Sequence, residues 1–201
     1  MKLFHMPRTR SSRVLWTAKE IGADVDIEPV DLTKGEGQSP EHKARHPHGK
    51  LPAAQIGDES FIESGAIALH LALHEGAEPP FLPDLKSLQG AKLLQWAFYA
   101  TATLDDLTID AYLQQRFAPD DKRDDALIQR AEKAWKDVIA PYLTKELGDK
   151  PYLMGDDFSL ADIMVGYPTF FADQLGWIDG ELKAWVARLA ERPAFREAFA
   201  M

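Results

Sequence analysis

Two short runs carry the residues best suited to chemistry. One is His46-Pro47-His48-Gly49-Lys50-Leu51-Pro52; the other, starting eleven residues after Pro52, is Glu63-Ser64-Gly65-Ala66-Ile67. The first reads as a loop delivering a proline to the start of a strand. Proline has no N–H, so Pro52 does not fit a central ladder. A cis Leu51–Pro52 bond would turn the chain and leave the Leu51 N–H and C=O facing outward. Those groups would pair with a peptide ligand as an added strand does. In the second run a strand end feeds a helix, with Ser64 expected at the N-cap. The open N–H groups of a first helical turn attract a carboxylate. Glu63 beside them would hold an ammonium group. The two runs together suit a small anionic peptide with one amine and one carboxylate at the same end.

Composition narrows the class. The 201 residues allow one domain or two small ones. An apolar fraction of 45% suffices for a true core. Lys and Arg total 23 against 32 for Asp and Glu, a net charge of −9 that opposes nucleic-acid binding. No apolar run is long enough to span a membrane. Met1-Lys2-Leu3-Phe4-His5 meets proline and arginine too soon for a signal peptide and reads as a strand, so a cytoplasmic protein is expected. There is no cysteine, which removes disulfides, zinc–thiolate sites and thiol nucleophiles together. Any thiol chemistry must use a thiol brought by the ligand.

The elements that would position these runs divide near residue 80. Before it, strand and helix signals alternate. A strand at 3–5 precedes a helix capped by Ser11 or Ser12, carrying Val14, Leu15, Ala18 and Ile21 at helical spacing and ending at Gly22. A strand over 26–32, a short helix near 41–44, strands at 53–56 and 60–62 and a helix over 65–74 follow, predicting a mixed sheet. Residues 78–86 read as a proline-stiffened linker. From 87 to 201 the pattern is helical: one long or bent helix over 88–117, another over 122–147, and a third led by Ser159 with Asp162 three residues on, a capping box. A helix from about Gly180 to Leu189 and a short one restarting at Pro193 complete the chain.

Four segments in this order and spacing give the chain a resemblance to the cytosolic glutathione S-transferases of bacterial type. They are Met1–Trp16, His46–Pro52, Phe61–Ile67 and Gly155–Ile163. The resemblance implies an α/β thioredoxin-like domain (1–77), an all-α domain (87–201), a homodimer, and glutathione as co-substrate. It places the cysteinyl unit of glutathione on the Leu51 main chain beside a cis Pro52. Glu63 would meet the γ-glutamyl amine, Ser64 the γ-glutamyl carboxylate, and Lys50 the glycyl carboxylate. His46 departs from the family's usual Asn and is expected only to serve the loop. The plainer readings are that Pro52 serves the fold, Ser64 caps a helix and Glu63 answers the helix dipole.

A thiol of pKa about 8.5 is only a few per cent ionised at neutral pH. Lowering it by about two units takes roughly 2.7 kcal/mol of preferential thiolate stabilisation. The family supplies this from a Tyr, Ser or Cys just after the first strand. Here cysteine is absent and the first tyrosine is Tyr99, so the turn Pro7–Ser12 must serve. Ser11 is the first candidate, with Thr9 and Arg10 next; the plain alternative for Ser11 is a helix cap. Lack of a protein thiol disfavours disulfide reduction and favours attack by bound glutathione on a small hydrophobic electrophile. The electrophile pocket is expected to involve Trp96, Tyr99 and Thr103, which share helical spacing, with His5, Met6 and Arg8 opposite; Trp96 also reads simply as core. His70 and His74 are four apart but have no third metal ligand in view, and no metal is expected. The alternatives are a binding protein of the same fold that has lost catalysis, or a glutathione-dependent peroxidase, isomerase or dehalogenase.

Overall fold

β1 (Lys2–His5) is central because three of its four residues are apolar enough, or well enough bonded, to be buried. In the computed structural model, which describes residues 1–200, it pairs in parallel with β2 (Asp26–Pro29) and antiparallel with β3 (Ala53–Ile56). β3 pairs antiparallel with β4 (Glu59–Ile62), giving the order β2-β1-β3-β4. This is the mixed sheet expected. β2 is shorter than the expected 26–32, because Pro29 has no N–H to donate and Asp31 then caps a 3₁₀ turn through the Thr33 and Lys34 N–H groups.

α1 (Ser11–Ile21) ends at Gly22, whose φ of 68° suits a residue without Cβ. Its start corrects the sequence expectation. The N-cap position is Arg10, which makes no side-chain cap, while Ser11 and Ser12 lie inside the first turn and are fully buried. Their hydroxyls turn back on the preceding loop; Ser12 Oγ accepts the Arg8 N–H at 2.9 Å. α2 (Pro40–Arg45) starts from a Ser39 cap. α3 (Ser64–His74) starts directly after β4, and its buried side carries Ile67, Ala68 and Leu71.

The C-terminal helix, α10 (Pro193–Phe199), packs on α1. The Trp16 ring meets Phe195 edge-on at 4.9 Å. Arg192 donates from Nε and Nη2 to the Glu20 carboxylate at 2.6 Å each, and Trp16 Nε1–H donates to the same carboxylate at 2.8 Å. The chain therefore forms one unit from residues 1–78 with Glu191 onward, and a second from Pro79–Ala190.

The second unit is helical. α4 (Leu88–Phe98) runs through a π-helical turn (Tyr99–Leu104) into α5 (Asp105–Phe117), the bent helix expected over 88–117. α6 (Asp125–Ala134), a second π-helical turn (Trp135–Ile139) and α7 (Ala140–Leu147) form the next pass. α8 (Leu160–Gln174) is buried over Leu160–Ala172 and α9 (Gly180–Ala190) follows. The capping box is present. Asp162 Oδ2 accepts the Ser159 N–H at 2.9 Å and the Ser159 hydroxyl at 3.0 Å. Its Oδ1 accepts the Leu153 N–H at 2.9 Å and Trp185 Nε1–H at 3.2 Å. No helix among the described residues is long and apolar enough to cross a membrane.

Candidate functional site

The turn between β1 and α1 concentrates hydroxyls. Thr9 Oγ1 donates to the Met6 carbonyl at 2.8 Å and lies 2.7 Å from Ser11 Oγ. Ser11 Oγ lies 2.7 Å from His5 Nδ1, accepts the Met6 N–H at 3.2 Å and is within 3.2 Å of the Met6 carbonyl. Ser11 exposes no surface, whereas Thr9 and Arg10 are half-buried. The first sequence candidate for contact with a thiol thus sits one hydroxyl behind the surface. His5 is itself buried, and desolvation pulls its pKa down to about 4, so its ring is neutral near pH 7. Arg8, with φ of 65°, turns the loop toward the helix.

The His46–Pro52 run is built as expected at its proline. Leu51–Pro52 is cis, and the β3 ladder begins only at Ala53. The Leu51 side chain packs with Phe4, Val30 and Ala53, which anchors the loop to the sheet. Upstream, Gly37 and Gly49 touch so closely that a Cβ on either would fall 2.5 Å from the other's carbonyl oxygen. His42 donates Nε2–H to the Lys50 carbonyl at 2.9 Å. His46 is buried and its Nδ1 accepts the His48 N–H at 3.3 Å, a role within the loop. Burial, aided by His42, His48 and Lys50 nearby, lowers its pKa. Lys50 itself is exposed.

At the third place the sequence expectation needs correction. Ser64 is not the N-cap of α3; Glu63 holds that position and Ser64 is the first helical residue. Glu63 has φ 74° and ψ 105°, a conformation a side chain adopts at a cost of about 1–3 kcal/mol and one concentrated at ligand sites. Its side chain is exposed. Ser64 is buried and its Oγ accepts a 2.8 Å hydrogen bond from Arg13 Nη1. Arg13, fully buried, is the residue the sequence reading missed. Its only local signal is a cation between Ser12 and the apolar Val14 and Leu15, on a helix face that is otherwise core. With the Arg13 N–H given to Oγ, the Ser64 hydroxyl keeps its own proton to donate, and a guanidinium lies behind it. The corner combines an exposed carboxylate, a hydroxyl donor, a buried cation and a helix N-terminus.

In the second unit, Trp96 is enclosed in the core. Its ring lies 6.0 Å from half-buried Tyr99, whose phenol is pushed up to about 12 by burial and by Tyr142. Thr103 is exposed on the same π-helical turn. His70 and His74 are exposed and stack at 5.8 Å. No group of three metal-ligating side chains exists among the described residues.

A thioredoxin-like sheet with a cis proline ahead of β3 and a helix N-terminus after β4, followed by a helical unit, defines the glutathione transferase fold. The family models agree over both parts: "Glutathione S-transferase, N-terminal domain" matches residues 1–73 and "Glutathione S-transferase, C-terminal domain" matches residues 125–199. The chain is 30% identical to glutathione S-transferase 3 of Zea mays over 210 residues, covering 100% of this chain and 93% of that one. Among solved structures it resembles glutathione transferase F7 from Populus trichocarpa (27% identity, TM-score 0.84, 98% of this chain and 96% of that one). It also resembles the theta class glutathione S-transferase of Xanthomonas axonopodis pv. citri with glutathione bound (28% identity, TM-score 0.80, 100% and 97%). The chain belongs to the glutathione S-transferase family.

Proposed function

We propose that this protein is a glutathione transferase that joins the thiolate of bound glutathione to a small hydrophobic electrophile. The observation that carries this reading is the corner formed by Glu63, Ser64 and Arg13. The γ-glutamyl ammonium pairs with exposed Glu63, and its carboxylate takes the Ser64 hydroxyl proton and the first-turn N–H groups of α3. The cysteinyl unit lies along the Leu51 main chain beside Pro52, and Lys50 reaches the glycyl carboxylate. The proposal includes a homodimer in the cytoplasm; exposed Leu88 and Phe98 supply apolar surface for a partner copy.

Thr9 is assigned the contact with sulfur, since Ser11 exposes no surface. With glutathione bound, the Thr9 hydroxyl turns its proton from the Met6 carbonyl to the thiolate, Arg10 adds positive charge, and the α1 N-terminus favours the anion. The thiol proton leaves to water. The thiolate pair then forms a carbon–sulfur bond, and the electrophile either expels its leaving group with the bonding pair or takes up a proton. Tyr99 and Thr103 are the proposed electrophile contacts, supported by a half-buried ring and an exposed hydroxyl on one turn, with Trp96 behind Tyr99.

The test is a glutathione titration of the pure protein, followed by thiolate absorbance across pH. Saturable binding with a thiol pKa well below that of free glutathione supports a transferase. Binding without that shift supports a glutathione-binding protein without catalysis, and no binding at millimolar glutathione overturns the reading.

A further inference from the structure

His5 is a buried, neutral imidazole at the end of β1 that the proposed chemistry leaves without a role. It is joined to the surface by two hydroxyls in series. His5 Nδ1 is 2.7 Å from Ser11 Oγ, and Ser11 Oγ is 2.7 Å from Thr9 Oγ1. Both distances are those of good hydrogen bonds to oxygen. Ser11 exposes no surface and His5 only 7% of its own, whereas Thr9, the last member, is half-buried.

Proton counting shows what the ring decides. The Met6 N–H is spent on Ser11 Oγ, and the Ser11 N–H reaches Thr9 Oγ1 at 3.3 Å. The Met6 carbonyl is within reach of both hydroxyls. If Nδ1 were an acceptor, Ser11 would give its proton inward, and Thr9 would be the one hydroxyl donating to the Met6 carbonyl, at 2.8 Å beside its own N–H at 3.3 Å. With Nδ1 protonated, the ring gives its hydrogen to Ser11 Oγ, and the Ser11 proton is turned outward to Thr9 Oγ1 or the Met6 carbonyl. Given to the Met6 carbonyl, the Ser11 proton takes the place of the Thr9 hydroxyl there and leaves the Thr9 proton available to a ligand. Hydrogen bonds running the same way along a chain polarise one another.

We propose that His5 is a positioning residue for thiol activation, donating from Nδ1 to Ser11 so that the Thr9 hydroxyl is free to donate to the sulfur of bound glutathione. This rests on Thr9 being the group that meets the sulfur. Ser11 is then the relay, which is why a fully buried serine stands at the head of α1. The same bonds also brace the turn, and a brace alone would change stability or glutathione affinity without changing thiol acidity.

The experiment measures the pKa of bound glutathione thiol and its Kd in the wild type, Thr9→Ala, Ser11→Ala, His5→Leu and His5→Asn. Asparagine places an N–H donor close to the position of Nδ1 and leucine does not. His5→Leu should raise the thiol pKa by about one unit, a tenfold loss of thiolate below that pKa, with the glutathione Kd unchanged when measured at a pH well below both thiol pKa values. His5→Asn should recover most of the shift. Nitrogen NMR of the histidines in the glutathione complex should find Nδ1 of His5 protonated and Nε2 not. A shift in Thr9→Ala with none in His5→Leu would overturn the role of His5 and leave that of Thr9 intact. A wild-type thiol pKa equal to that of free glutathione, or no shift in Thr9→Ala, would instead remove the reading on which this rests. Should His5→Leu fail to fold, the NMR tautomer decides, and an unprotonated Nδ1 overturns the proposal.

Discussion

Arg13 and Ser64, 51 residues apart, are joined by a 2.8 Å hydrogen bond between two buried side chains. It ties the first helix, which begins at the hydroxyl-rich turn, to the first residue of the helix that faces the proposed γ-glutamyl end. Both ends of the candidate glutathione site are thereby held by one guanidinium.

Removing that cation should cost binding more than its distance from solvent suggests. Arg13→Met keeps much of the buried stem but leaves Ser64 Oγ without its donor and the corner without its charge. Loss of a charge-assisted bond of about 1.5–3 kcal/mol corresponds to glutathione binding weaker by roughly 10- to 150-fold. Calorimetric titration of the folded variant checks this, and an unchanged Kd would contradict the role given to Arg13.

Glu63 should show stability and affinity moving in opposite directions. Its φ of 74° is free of penalty only for glycine. Glu63→Gly is expected to raise unfolding stability by about 1 kcal/mol while weakening glutathione binding. Urea denaturation and titration on the same sample read the two effects. Loss of stability in this variant would mean that the Glu63 side chain contributes more to the fold than its backbone costs.

His5 should make the fold sensitive to mild acid. Its folded pKa, about 4, lies below the ordinary value of 6.5, so the unfolded chain binds the proton first as pH falls. Stability is complete above pH 6.5 and is lost as pH falls toward 4, by an amount on the order of 2–3 kcal/mol. Denaturation at a series of pH values should show a slope in this window that is shallower in His5→Leu. Equal slopes in the two proteins would place His5 outside the cause.

Asp162 receives four hydrogen bonds in the core of the second unit. Asp162→Ala leaves the Leu153 and Ser159 N–H groups and the Trp185 indole N–H without their acceptor. A loss of about 3 kcal/mol or more is expected. Burial also lifts the carboxyl pKa to about 6 against an ordinary 3.8, so ionising it in the folded state carries a penalty. The wild type should therefore lose part of its stability as pH rises from about 4 to 6, and Asp162→Ala should lack that component. A urea midpoint shift below a few tenths molar would contradict the central place given to this side chain.

The local features are legible in the residue order alone. Val14, Leu15, Ala18 and Gly22 define a helix and its end; Ser159 and Asp162 define a capping box; Pro52 and the Glu63-Ser64 pair mark the two arms of the proposed peptide site. These are legible because hydrophobic period, capping chemistry and the missing N–H of proline act over a few residues. Tertiary structure decided which of the turn hydroxyls faces outward. Ser11 and Thr9 differ by two positions and carry the same chemical group, so only the fold around His5 and Met6 separates a fully buried hydroxyl from a half-buried one. It also decided that Arg13 stands behind Ser64, and that Arg192 holds the last helix to Glu20 on the first unit, 172 residues away. Such pairings depend on where distant segments meet, and no local period or cap records that.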